Sequence, residues 1–399
     1  MNILQITPEA PSSRSGGGIG VRQTLLSLLE NGDQVDYVGP EITEEPLKAL
    51  YRRTYILEPS HNVLLRIYDT LFMNTNRRYR AWKALKLDIE AYDLIVMDFT
   101  KLHYVLERIG DMPLLVRVHN VEQDYSRNDL RHHRTLVHLL DAAFSGPRER
   151  RIVRRADRLL VLTEKDQNRL CSLYQISKGK TKLLPVCIPA PKKAESGKEK
   201  CDQDRRNEIK EKKETTCTQT PLRLLITGSL WFGSNYEGTI WFLDEVFAKL
   251  GDAVSLCIAG ARPHPSLVQR VQSVPNIRLI DTPPDMAPYF READLFIAPV
   301  FDGAGMKVKV AEALSYGLPV VGTSHAFEGY EITEGLTGWQ ADDAASFLAA
   351  VSAYRSLSEA ERMKRRHAAE RLFNARYSIA CSAAVFQETI KQMRADRLQ

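Results

Sequence analysis

The 399-residue chain has six cysteines, Cys171, Cys187, Cys201, Cys217, Cys257 and Cys381, and no two of them form a C-x-x-C pair. No His/Cys cluster has zinc spacing either, which argues against a structural metal and for a reducing compartment. No apolar run approaches about 18 residues, so no segment reads as a membrane span. The opening Met1-Asn2-Ile3-Leu4-Gln5-Ile6-Thr7 runs straight into a turn. It reads as a first buried strand and not as a secretory signal, and a cytoplasmic protein is expected.

Charge of one sign is also scarce, since the formal net charge is only +5. Residues 1–189 hold 28 Lys+Arg against 23 Asp+Glu, and the remainder holds 55 − 28 = 27 against 50 − 23 = 27, so the whole surplus lies in the first half. Much of it is one run: Arg148, Arg150, Arg151, Arg154, Arg155 and Arg158. Such a run is either a solvated helix face or a surface for anionic lipid or an anionic acceptor at the inner face of a membrane. No recognition motif accompanies it, so nucleic acid is not expected as a partner.

What the chain has is alternation. Short apolar runs at Ile3–Thr7, Gln34–Val38, Thr54–Leu57, Asp93–Met97, Leu114–His119, Arg158–Thr163 and Lys182–Val186 alternate with amphipathic stretches at Arg22–Glu30, Asn62–Lys86, Val121–Phe144 and Glu164–Leu173. Strand–helix alternation implies a parallel sheet covered on both faces. Residues 190–220 are highly charged and cannot build a core, so they read as a linker or insertion. The alternation restarts with strands at Leu222–Thr227, Val254–Ala259, Ile277–Ile280, Leu295–Pro299, Pro319–Thr323 and Thr337–Gln340. Helices are expected between them at Tyr236–Leu250, Pro265–Val274, Asp285–Glu292, Met306–Tyr316 and Ala344–Tyr354. The expected organisation is an N-terminal domain over 1–189, the linker, a second domain over 221–375 and a crossover helix over 376–399. The fold class is α/β: two doubly wound Rossmann-like domains facing each other across a cleft, with the last helix packing back toward the first. Such sheets bind ligands at strand carboxyl ends, where the strand order reverses.

Two glycine-rich stretches follow strands. Gly16-Gly17-Gly18-Ile19-Gly20 would let a ligand approach the backbone at a helix start, though G-x-G-x-x-G is absent. Its bland alternative is a flexible turn without a ligand. The second stretch is Asp302-Gly303-Ala304-Gly305-Met306-Lys307-Val308-Lys309-Val310-Ala311-Glu312. Lysines in a first helical turn oppose the helix dipole, and a bound diphosphate supplies the reason for them. Glu312 lies three residues after Lys309, on the same face, where a carboxylate can accept from ribose or sugar hydroxyls. The alternative is a surface helix with an internal Lys–Glu pair. Trp231 and Phe232 read as core residues rather than a stacking platform, and His132 and His133 as solvated.

These stretches, with Gly228-Ser229-Leu230-Trp231-Phe232-Gly233-Ser234-Asn235, Leu256-Cys257-Ile258-Ala259-Gly260, Ala293–Pro299 and Ala313–Thr323, resemble the nucleotide-sugar domain of GT-B glycosyltransferases, especially family 4. The first half fits through its glycine turn and Arg117-Val118-His119-Asn120-Val121-Glu122. The resemblance implies that Gly17 and Gly18 face the donor phosphates and that His119 acts beside the transferring sugar. Lys309, with Lys307 as the weaker candidate, holds the diphosphate. Glu312 binds the ribose, the amides of Gly305 and Met306 meet the sugar, and Gly228 and Ser229 complete the donor site. Asn120 and Asp98 are expected on the acceptor side.

Two features depart from the family pattern. Ala304 stands where the first glutamate of an E-x₇-E pair is usual, and Trp231–Asn235 holds neither the usual Arg nor Lys. The implied activity is retaining transfer of a sugar from a nucleotide-diphosphate sugar to a glycan or lipid-linked acceptor in surface polysaccharide or lipopolysaccharide synthesis. No cofactor and no metal is expected. The alternatives on the same fold are a nucleotide-sugar 2-epimerase and a non-enzymatic binding protein.

Overall fold

The computed structural model describes residues 1–13, 15–59, 78–132, 135–191, 221–231, 233–303 and 305–398. Most of the helix expected over Asn62–Lys86, nearly all of the 190–220 linker, and Phe232, His133 and Ala304 lie outside them. The chain falls into two compact units. One comprises Met1–Ile188, Ala304–Val308 and Arg376–Gln399, and the other Pro189–Gly303 and Lys309–Ala375.

In chain order the main elements of the first unit are β1 (Asn2–Ile6), α1 (Gly16–Glu30), β2 (Gln34–Gly39), β3 (Arg53–Ile56), β4 (Leu94–Asp98), β5 (Leu114–Val118), α2 (Glu122–His132), α3 (Leu136–Arg155), β6 (Arg158–Val161), α4 (Glu164–Tyr174) and β7 (Thr181–Leu183). The second unit holds β8 (Leu222–Ser229), α5 (Ser234–Glu245), β9 (Val254–Ala261), α6 (Pro265–Val271), β10 (Ile277–Asp281), α7 (Ala287–Glu292), β11 (Leu295–Ala298), α8 (Val308–Ser315), β12 (Val320–Gly322), β13 (Gly338–Gln340), α9 (Ala344–Arg355) and α10 (Glu359–Arg376). The last helix, α11 (Ile379–Arg397), belongs to the first unit.

Both sheets are parallel throughout. The first has the order β3-β2-β1-β4-β5-β6-β7 and the second β10-β9-β8-β11-β12-β13, so the order reverses at β1/β4 and at β8/β11. Side chains along the first sheet alternate between two cores. Leu4, Ile6, Ile95 and Met97 pack with Ile152, Val153 and Leu170 on one face. Ile3, Leu94 and Val96 pack with Leu25 and Leu28 of α1 and with Phe386, Ile390 and Met393 of α11 on the other. With both faces covered, every strand position can be apolar, which is why these strands read as continuous runs.

Helix α11 is fastened to α1 by polar contacts as well. Gln23 Nε2 donates to Ser382 Oγ at 3.0 Å, Ser27 Oγ donates to the same oxygen at 2.7 Å, and Asn31 Nδ2 donates to Ala383 O at 2.9 Å. Burial of Phe386 adds about 2–3 kcal/mol to this packing.

Two helix expectations need correction. Helix α1 starts at Gly16 and not near Arg22, because Ser15 caps it by accepting from Gly18 N at 3.2 Å. The stretch Val121–Phe144 is divided between α2 and α3, and Thr135 caps the second by accepting from His138 N. Helix α10 gave little signal in the sequence, since its buried side is only Ala368, Ala369 and Phe373 in an otherwise charged segment.

The arginine run does not form one solvated face. Arg148 is buried and pairs with Asp141 at 2.9 Å. Arg155 donates to the carbonyls of Gly110 and Met112, and Arg158 pairs with Asp396 of α11. Arg150, Arg151 and Arg154 are exposed. Cys171, Cys187 and Cys257 are free thiols. Among the described residues no helix is long and apolar enough to cross a membrane, and no three His, Cys, Asp or Glu are grouped to hold a metal ion.

Candidate active site

At the carboxyl edge of the first sheet, beside its strand-order reversal, β5 ends and His119 follows. Its ring is buried, and Nε2 lies 3.0 Å from Asp98 Oδ1. Asp98, the last residue of β4, is fully buried and also accepts from Gln5 Nε2 at 2.7 Å and from Thr24 Oγ1 at 2.8 Å. A carboxylate only accepts, so this assigns the ring proton to Nε2 and leaves Nδ1 with a lone pair. Burial holds the imidazole down to about 4 against the opposing pull of the Asp98 hydrogen bond, so His119 is neutral near pH 7.

The ring is clamped on both sides. Phe99 stacks on it with centroids 3.9 Å apart and planes 12° from parallel. Phe99 holds this position at φ 67°, a left-handed conformation that is uncommon for a bulky residue. On the other side is α1. A Cβ on Gly20 would stand 2.2 Å from His119 Cε1 and 2.6 Å from Nδ1, so only glycine fits there. Arg117, buried one strand position before Val118, donates to Gly20 O and, at 2.5 Å, to Gln23 Oε1, which fixes α1 against β5. Asp98, expected on the acceptor side, is therefore an internal residue that sets the tautomer and direction of His119.

The glycine turn also differs from expectation. Gly17 and Gly18 lie inside the first turn of α1, and Gly18 N is already taken by Ser15. A Cβ on Gly17 would stand 1.9 Å from Glu9 Oε2. The Glu9 carboxylate thus packs against Gly17 at this helix start.

The second unit carries its own candidate residues at the carboxyl edge of the second sheet, where β8 and β11 part. Gly303 (φ 99°) and Gly305 (φ 71°) take left-handed conformations that side chains disfavour, and α8 begins at Val308. His325 Nε2 lies 2.6 Å from Gly303 O. Lys309 Nζ donates to Asn235 Oδ1 at 2.6 Å, joining α8 to the start of α5. Gly228 (φ 147°) gives Asn235 its room, since a Cβ there would stand 3.0 Å from the amide carbon. Ser229 is exposed at the end of β8. Burial pushes the Glu312 carboxyl up and the Lys309 cation opposes the shift, so the two side chains share one electrostatic neighbourhood.

Lys307, Gly305 and Met306 group with the first unit. Lys307 Nζ donates to Gly305 O at 2.8 Å, and Met306 is buried with its sulfur accepting from Val186 N at 3.3 Å. Asn120 Oδ1 lies 3.4 Å from the position a Cβ on Gly305 would take. Trp231, read from the sequence as core, is 44% exposed and has the His264 ring 5.5 Å away. Sequence reasoning singled out neither Glu9 nor Asn235. Their neighbours Gly17 and Lys309 come close only through the fold, and nothing local in the sequence marks either residue.

Residues 14–190 match the model of Glycosyltransferase Family 4, and residues 221–355 match that of Glycosyl transferases group 1. No curated protein matches the sequence. Solved structures share the fold at low identity. A sucrose-phosphate synthase from Thermosynechococcus elongatus superposes with a TM-score of 0.69 at 17% identity, over 99% of each chain. HepE of Anabaena in complex with UDP gives 0.67 at 13% identity, over 98% of this chain and 100% of its own. WaaG, a glycosyltransferase involved in lipopolysaccharide biosynthesis, gives 0.63 at 16% identity, over 96% and 98%. With two parallel Rossmann-like units and a family match in each, the chain belongs to the GT-B glycosyltransferases of the family 4 type.

Proposed function

We propose that the chain takes its sugar from a nucleotide-diphosphate donor and passes it to a glycan or lipid-linked acceptor in surface polysaccharide or lipopolysaccharide synthesis, with retention of anomeric configuration. The observation that carries this reading is the Lys309–Asn235 hydrogen bond of 2.6 Å beside Glu312, at the strand-order reversal of the second sheet. It puts a cation and a carboxylate at the edge where such sheets bind nucleotides. The structural relative HepE is known in complex with UDP and with UDP-glucose, which supports a donor of this class.

Sugar transfer builds positive charge on the sugar and negative charge on the departing diphosphate. Lys309 would leave Asn235 for the diphosphate, stabilised further by the start of α8, and Glu312 would accept from the ribose hydroxyls. His119, neutral and with Nδ1 as acceptor, acts in the transfer step by accepting from a sugar hydroxyl. In this reading the reaction uses no further cofactor. The enzyme works at the cytoplasmic face of an anionic membrane, with Arg150, Arg151 and Arg154 as the arginines left for that contact.

A thermal-shift screen with UDP, GDP, ADP and their sugars identifies the donor, since a ligand of the native state raises stability. With that donor, Lys309→Ala is expected to lower turnover more than ~10-fold at fixed acceptor. Unchanged turnover in a folded variant removes Lys309 from the mechanism.

A further inference from the structure

Beside His119, at the same carboxyl edge of the first sheet, lies a group of side chains that the transfer chemistry does not use. Lys101 follows β4 by three residues, and its side chain is 38% exposed. Its Nζ lies 3.5 Å from Glu122 Oε2, 5.4 Å from the centroid of Phe99 and 5.3 Å from that of Tyr125. Phe99 is the residue stacked on His119, so the lysine stands one ring away from it. The Glu9 carboxylate acts on Lys101 as well. Glu9 is held in place by Thr7, whose Oγ1 donates to Glu9 O at 2.8 Å and accepts from Glu9 N at 3.2 Å. Tyr125, in the first turn of α2, keeps 42% of its surface exposed. Glu122 is 3% exposed, yet its Oε1 has no hydrogen-bond partner among the described residues.

Two loops of the sheet and the first turn of α2 therefore bring together an exposed aromatic ring, a partly exposed lysine and a partly exposed carboxylate. An aromatic face flanked by hydrogen-bonding groups suits a sugar ring, whose C–H face packs on the aromatic while its hydroxyls donate and accept at the rim. Charge narrows the class. One lysine stands among two glutamates, so the group has no positive surplus to offer a phosphate or carboxylate. A buried carboxylate oxygen without a donor adds demand for hydroxyl protons.

We propose that Tyr125, Lys101 and Glu9 form the subsite for the acceptor, and that the acceptor presents there an uncharged sugar ring and not a phosphorylated one. Lys101 and Glu9 are specificity-determining residues: Lys101 donates to one ring hydroxyl, Glu9 accepts from another, and Glu122 holds the lysine in place. The inference rests on the transferase reading above, because it assigns the acceptor of that same reaction.

The test is saturation-transfer NMR on the full chain with a panel of methyl glycosides (glucoside, galactoside, mannoside, N-acetylglucosaminide) and the 6-phosphates of the same sugars. At least one neutral glycoside is expected to give signal, its 6-phosphate at least ~3-fold less. Tyr125→Ala and Lys101→Met are each expected to lose most of the signal while their melting temperatures confirm folding. Absence of signal from every neutral glycoside, equal or stronger signal from the phosphates, or full signal in both variants overturns the assignment. A UDP, GDP and ADP thermal-shift control on the same samples separates the two readings. A nucleotide shift without glycoside signal defeats this subsite alone. Glycoside signal without any nucleotide shift defeats the proposed donor and leaves the subsite standing.

Discussion

His119 points its Nε2 at Asp98 across 3.0 Å, and that carboxylate is itself fully buried and held by Gln5 and Thr24. The histidine therefore has one ring nitrogen committed to Asp98 and a lone pair on the other. Regular elements set most of its orientation, because Asp98 ends β4, Arg117 lies within β5 and Gly20 lies within α1, and Phe99 just after β4 completes the clamp. Sites built on regular elements hold their geometry more tightly than loop sites.

Asp98→Asn replaces an oxygen that accepts with a group that donates. With three donors aimed at this side chain, one bond must break, and the imidazole is free to take the other tautomer. Turnover is expected to fall at least ~10-fold, with nucleotide affinity unchanged, since Lys309 and Glu312, proposed to hold the nucleotide, belong to the second unit. Steady-state rates beside nucleotide thermal shifts check this. Wild-type turnover in the variant would show that Asp98 does not set the histidine.

Gly20→Ala forces a Cβ to within 2.2 Å of the His119 ring. Overpacking of this kind costs about 1–3 kcal/mol, and here it also displaces the ring from Phe99. Gly16→Ala, with nothing within 4 Å of its Cβ, is the matched control and should change neither melting temperature nor rate. Equal behaviour of the two variants would mean that α1 shifts freely away from β5.

Glu122 gives a pH signature. Burial raises its carboxyl from 4.5 to about 7, so the folded state keeps a proton that the unfolded state has lost between those values. Its contribution therefore declines as pH rises through that window. His119 and His103, both lowered from 6.5 to about 4, run the other way and weaken the fold as pH falls from 6.5 toward 4. Glu122→Gln removes only the first effect. Relative to wild type the variant should gain stability from pH 4.5 to pH 7, by on the order of 2–3 kcal/mol, and hold that gain above it. Denaturation curves that stay parallel across this range would contradict the assignment.

The three exposed arginines give a membrane prediction. Wild-type chain should co-sediment with vesicles containing anionic lipid at low salt and be released as salt rises. Replacing Arg150, Arg151 and Arg154 by serine should abolish this without affecting nucleotide binding. Co-sedimentation that ignores lipid charge would end the idea.

Much of the fold was legible because both faces of both sheets are covered. Runs such as Ile95-Val96-Met97 and Leu295-Phe296-Ile297 are apolar at every position, and each of the thirteen strands among the described residues was expected within a few residues. Helix α10 was not, since only three buried side chains mark it. The candidate site was legible where it carries a local signature: glycines before α8, and a lysine in its first turn. It was not legible where a residue's meaning depends on a distant neighbour. Asp98 reads as an isolated acid at a strand end until Gln5, Thr24 and His119 are brought to it. Glu9 has no role until it fills the space over Gly17, and Arg148, Arg155 and Arg158 look like a charged surface until their partners are in view.

In the proposed reaction Lys309 holds the diphosphate of a nucleotide donor. The most direct measurement compares the thermal shift from each nucleoside diphosphate with that from its monophosphate, in wild type and in Lys309→Ala. At least one diphosphate should stabilise wild type more than its monophosphate, and the variant should lose most of that difference while still responding to the monophosphate. No shift with any diphosphate, or the same diphosphate preference in both proteins, would contradict the account.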